Sequence, residues 1–130
     1  MRILQTLALC TLVAACGSSE DTSTPELREG TVRVQSRDSN PVDVSATTPV
    51  KLGTNDLLVT FPARAGTELV QATAIMPAHG HGSKPPTVER AGEGYRVSNL
   101  VLYMSGRWEV RFALRVDGRD DEALVILDVP

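Results

Sequence analysis

Both histidines of this chain, His79 and His81, fall within one stretch, Met76-Pro77-Ala78-His79-Gly80-His81-Gly82. Of the two methionines beyond Met1, Met76 opens that stretch and Met104 follows a later apolar run. Imidazole nitrogen is a borderline ligand and thioether sulfur a soft one, and a site offering both suits copper better than other common biological metals. Two imidazoles with one or two thioethers make a three- or four-coordinate Cu(I) site. Cu(II) asks for more nitrogen and oxygen, from Glu89, Glu93 or water, and zinc held through two histidines alone lacks partners. In an extended segment residues two apart point the same way, so His79 and His81 are expected side by side. Gly80 and Gly82 free the backbone to wrap an ion, and Pro77 stops the strand before it. Core packing and simple solvation are the competing readings. Histidines in glycine loops are often only hydrated, Met76 ends an apolar face, and Met104 continues the face of Leu100 and Leu102.

Other chemistry is poorly served. His81-Gly82-Ser83 invites a hydrolase reading, but no Gly-x-Ser-x-Gly elbow exists, so no enzyme activity is expected. Asp117, Asp120 and Asp121 crowd one turn without the spaced ligands and terminal Glu of a Ca²⁺ loop, which favours a solvated turn.

The elements that must position these residues read as strands. Thr31–Gln35 alternates, and Asp56–Phe61 is a short apolar run. Leu69–Met76 puts Val70, Ala72, Ala74 and Met76 on one face. Thr87–Arg90 is short, polar and edge-like, and Tyr95 to about Leu102 follows. From Arg107 to Val116 the period of two is strict, with Trp108, Val110, Phe112, Leu114 and Val116 on the buried side. Ala123–Val129 is apolar on both faces, as a covered strand is. Glycine-rich turns separate these runs, including Gly92-Glu93-Gly94 and Asp117-Gly118, and no helical period stands out. About seven short strands predict an all-β domain, an immunoglobulin-like β-sandwich over residues 31–130.

Strand directions decide whether the ligands can meet. If Thr87–Arg90 is a strand running back, the strand ending near Met104 runs in the same sense as the one ending at Met76. Met76, His79, His81 and Met104 then share one end of the sandwich. If it is not, Met104 moves to the opposite end.

The N-terminus reads as a targeting segment. Arg2 is followed by an apolar run to Ala15, shorter than the roughly 20 residues of a membrane span. Val13-Ala14-Ala15-Cys16 resembles a bacterial lipobox. That resemblance implies a signal peptide over residues 1–15, cleavage before Cys16, and lipid on its sulfur and new amino group. Dual acylation gives stable anchoring. Cys10 leaves with the signal peptide, so the folded part has no thiol for a disulfide or metal. Residues 16–30 are small, polar and acidic, as in a flexible tether. Gly17 and Ser18 stand where an aspartate would favour inner-membrane retention, so the outer membrane is favoured if the cell has one.

A formal charge of −3, no basic run and 4% aromatic residues exclude a nucleic-acid partner as the leading reading. The ordered set Met76-Pro-Ala-His79-Gly-His81-Gly, Pro85 or Pro86, Gly94-Tyr95 and Met104-Ser-Gly106-Arg-Trp108 resembles the YtkA-like domain family, which is related to FixH-type proteins. The resemblance covers roughly residues 55–130. Ala78 departs from it, standing where many members carry a methionine or a small polar residue. The resemblance implies an immunoglobulin-like sandwich outside the cytoplasm, lipid- or membrane-tethered, near copper handling or oxidase assembly. The expected function is copper binding or delivery to a receiving envelope protein. His79 and His81 would be the nitrogen ligands, and Met76 and Met104 the sulfur ligands. The alternative is a non-enzymatic interaction or spacer domain without metal, docking an envelope partner at a sheet edge.

Overall fold

The computed structural model describes residues 24–130, and among them there are ten strands and no helix. In chain order these are β1 (Glu26–Leu27), β2 (Gly30–Gln35), β3 (Pro41–Ala46), β4 (Gly53–Thr60) and β5 (Glu68–Met76). There follow β6 (His81–Gly82), β7 (Thr87–Ala91), β8 (Gly94–Leu102), β9 (Gly106–Val116) and β10 (Arg119–Val129). They form two five-stranded sheets, β1-β10-β9-β5-β6 and β2-β3-β4-β8-β7, whose facing sides share one core. The all-β sandwich expected from the alternation is therefore what forms. Residues 1–23, which include the lipobox and Cys16, lie outside the described residues.

The core follows from period two. Trp108, Val110, Phe112 and Leu114 of β9 point inward and are buried, while Arg107, Arg111 and Arg115 alternate with them on the solvent side. Each large apolar side chain so buried stabilises the fold by roughly 1.5–3 kcal/mol relative to exposure. On the outer face Arg111 pairs with Glu109 and Glu122, and Arg115 with Asp120.

Three features differ from the expected pattern. Residues 24–30 are not tether to their end: Leu27 is wholly buried, and β1 pairs in parallel with β10. β3 adds a strand between β2 and β4, its Val42, Val44 and Ala46 buried in alternation. β10 begins at Arg119 rather than Ala123, because Asp117 and Gly118 alone make the turn. Both have positive φ, 50° and 77°, which is the two-residue hairpin geometry that Asp-Gly favours.

The early start of β10 carries Asp121 into the interior at 4% exposure. Its carboxylate accepts hydrogen bonds from the hydroxyl of Ser36, the Nδ2 of Asn40 and the backbone amides of Asp38 and Glu122. Burial alone pushes this carboxyl up. The hydrogen bonds outweigh it and hold the group below its usual value. The β2–β3 turn is thereby tied to the other sheet. The remaining acids of this turn are also partnered, Asp117 with Arg64 and Asp120 with Arg115, which agrees with a structural turn.

A bulge in β8 matters most for the loop end. Asn55 pairs with Leu100 and Leu57 with Val97, so Asp56 alone opposes both Ser98 and Asn99. Asn99 adopts φ 59°, a conformation asparagine tolerates well. Its backbone N–H is turned towards the Asp56 carboxylate, which accepts from Arg96 at 2.6 Å. The bulge shifts the phase of the strand. Tyr95 and Val97 point inward before it and Leu100 and Leu102 after it, which leaves Val101 and Tyr103 outside.

Candidate metal centre

The stretch around the histidines is a hairpin. β5 ends at Met76, four residues turn, and β6 returns with His81 opposite Met76 and Gly82 opposite Ile75. Within the turn the His79 amide donates to the Met76 carbonyl at 3.2 Å and the Gly80 amide to the Pro77 carbonyl at 3.4 Å. Gly80 takes φ 64°, the left-handed conformation that brings the chain back onto β5. Ser83 continues the pairing by donating its amide to the Ala74 carbonyl at 3.0 Å.

His79 and His81 are therefore not two residues of one extended run. A turn with a left-handed glycine lies between them, yet their rings are close, 6.4 Å between centroids and 20° between planes. Both side chains are exposed. The turn, rather than strand periodicity, sets the pair side by side.

The thioethers sit differently. Met76 and His81 are direct cross-strand partners, and such pairs hold their Cβ atoms about 4.5–5.5 Å apart on one face. Met76 is only 2% exposed and belongs to the core. Its Cε fills the space left by Gly106, where a Cβ would stand 3.1 Å away. Met76 is thus the floor beneath the hairpin, whereas Met104 is partly buried at the rim of the core.

β7 is a strand and pairs antiparallel with β8, so β8 runs toward the hairpin, as the copper constellation requires. Three hydrogen bonds fasten that end. The Ser83 hydroxyl donates to the Val101 carbonyl at 2.6 Å, and the Tyr103 hydroxyl to the Gly82 carbonyl at 3.4 Å. The Trp108 indole N–H donates to the Met104 carbonyl at 2.9 Å, and the Tyr103 ring meets the indole edge-on at 5.3 Å. Pattern reading missed Ser83 and Tyr103 as positioning residues, because their bonds join segments 18 and 21 residues apart in sequence, whereas Trp108 and Met104 stand only four apart.

Glu89 and Glu93 do not join the histidines. Glu93 lies in the β7–β8 turn, roughly 25 Å along β8 from Val101 at strand rise, and Glu89 sits midway along the edge strand β7, opposite Arg96. Among the described residues no cluster of three His, Cys, Asp or Glu side chains forms. The donor set at this end is two open imidazoles, one partly buried thioether and one buried thioether. That chemistry fits a soft monovalent ion better than zinc or Cu(II). No protein-family model, curated protein or solved structure matches this chain.

Proposed function

We propose that this chain is a lipid-anchored cell-envelope protein that binds copper on the β5–β6 hairpin and delivers it to a receiving protein. The observation that carries this reading is the pairing of His79 and His81 on an exposed hairpin tip, 6.4 Å apart, at the end where Met104 also lies. Two imidazoles and a thioether give Cu(I) a three-coordinate site that stays open to solvent, which suits transfer better than storage. Lipidation at Cys16 is supported by Val13-Ala14-Ala15-Cys16. The YtkA-like resemblance is supported by the strand order. The order β3-β4-β8-β7 facing β10-β9-β5 resembles A-B-E-D facing G-F-C of immunoglobulin sandwiches, with β2 added beyond β3, β1 beyond β10 and β6 beyond β5.

The test is a Cu(I) titration of the chain from Ser18 onward, in reductant and against a competing chelator. One ion per chain, lost in the His79→Ala/His81→Ala double variant, is the expected result. Affinity unchanged in that variant overturns the reading.

One observation favours a metal-free interaction role. β6 and Ser83 cover only residues 74–76, so among the described residues 68–73 have no strand beyond them, and β7 ends the other sheet. An envelope partner adding a strand there would bind equally well to the double histidine variant.

A further inference from the structure

The hairpin tip has a geometry that one chain does not complete for a divalent ion. Only two imidazoles are exposed there, and no carboxylate gathers with them among the described residues. The remaining donors are thioethers, which Cu(II) and Zn(II) bind poorly beside nitrogen. Both ions complete their shells best with four nitrogen or oxygen ligands, tetrahedral for zinc and tetragonal for Cu(II).

The same tip is built so that a second tip can approach it. Residues 76–83, Met-Pro-Ala-His-Gly-His-Gly-Ser, carry no formal charge, so two tips meet without like-charge repulsion. Pro77, Ala78 and Gly80 are small and exposed, leaving the imidazoles as the tallest groups. Beside the hairpin, Tyr103 and Leu52 are each about half exposed, at 49% and 50%, and the pairing of Gly53 with Leu102 sets them next to each other. An apolar rim beside ligands is what a contact between copies can cover.

We propose that a divalent ion, Cu(II) or Zn(II), joins two copies of this chain through a four-imidazole centre, His79 and His81 coming from each. This rests on the reading that the hairpin binds metal. The two copies are related by a two-fold axis through the ion, so each presents the same surface to the other. Cu(I), satisfied within one chain by His79, His81 and Met104, leaves the protein monomeric. The bridge is therefore made by the divalent ions and not by Cu(I).

Sedimentation velocity on the chain from Ser18 onward, with Zn(II) added stepwise and bound metal measured in parallel, tests this. The expected result is a doubling of mass that saturates at one ion per two chains. It should be absent in His79→Ala and His81→Ala, which remain folded by circular dichroism, and absent with Cu(I) in reductant. One ion per chain with no change of mass overturns the bridge and leaves the hairpin as a metal site. No bound ion of either charge overturns the bridge and the copper reading together. A dimer that forms without metal, or persists in His79→Ala, also overturns the bridge.

Discussion

At the scale of single residues, the two histidines and the two methionines have unequal standing. His79 and His81 are open, Met104 is partly covered, and Met76 serves the core first, with its methyl against Gly106. Met104→Leu keeps the apolar volume and removes the sulfur. It is expected to weaken Cu(I) binding at least about tenfold, near 1.4 kcal/mol, while leaving Zn(II) binding unchanged in a chelator competition. Metal affinity falls on acidification, because a protonated imidazole does not ligate. The presence of both histidines and Met76 in one short stretch was legible in the sequence. Their adjacency was legible for the wrong reason: an extended spacing was read where a turn with left-handed Gly80 does the work. Buried Asp121 was read as part of a solvated turn, since three of its four hydrogen-bond donors come from the β2–β3 turn and one from its own strand, and pattern alone does not join these.

At the scale of elements, the β8 bulge links fold to site. By placing Asn99 in a left-handed conformation it turns Leu100 and Leu102 inward and Tyr103 outward, and so sets where Met104 arrives. Asn99→Val asks a β-branched residue for that conformation, at a cost of roughly 1–2 kcal/mol. It is expected to lower the denaturant midpoint and weaken Cu(I) binding, whereas Asn99→Gly retains both. β9 was legible from strict alternation and β4 as a short apolar run, while β5 was read in the right place with one residue on the wrong face: a bulge between Leu69 and Gln71 buries Leu69 and leaves Val70 47% exposed. β3 was not, because Pro41, Asp43 and Ser45 dilute its three small buried residues. β6 is two residues long, too short for any period to show, although it closes the candidate site.

At the scale of the whole molecule, the described residues contain no cysteine, and the sheets are held by the core and by ties such as Asp121. The Asp121 carboxyl sits below its usual value of 3.8 when folded. Its contribution is therefore complete above that value and is lost as pH falls through the lower, folded value. Asp121→Asn is expected to lose about 1–3 kcal/mol near neutral pH and to show a flatter acid limb in a series of urea melts. The exposed pairs Arg33–Asp43 and Arg96–Asp56 also hold their carboxyls low, but solvent screening makes their share small. The proposed lipid anchor is tested on the intact chain. Fatty-acid labelling and membrane retention are expected in a bacterial host and should be lost in Cys16→Ala, with the sandwich unchanged. The sandwich class was legible because one buried face imposes period two on long strands such as β9. The extent of the domain was not, since Leu27 is a single core residue in an otherwise polar stretch.

The central claim is that copper sits between His79, His81 and Met104. X-ray absorption at the copper edge of the Cu(I)-loaded protein addresses it directly. The account predicts a first shell of two nitrogens and one sulfur, with the sulfur lost in Met104→Leu and the nitrogens lost in His79→Ala/His81→Ala. A shell of nitrogen and oxygen alone, unchanged in both variants, would contradict it.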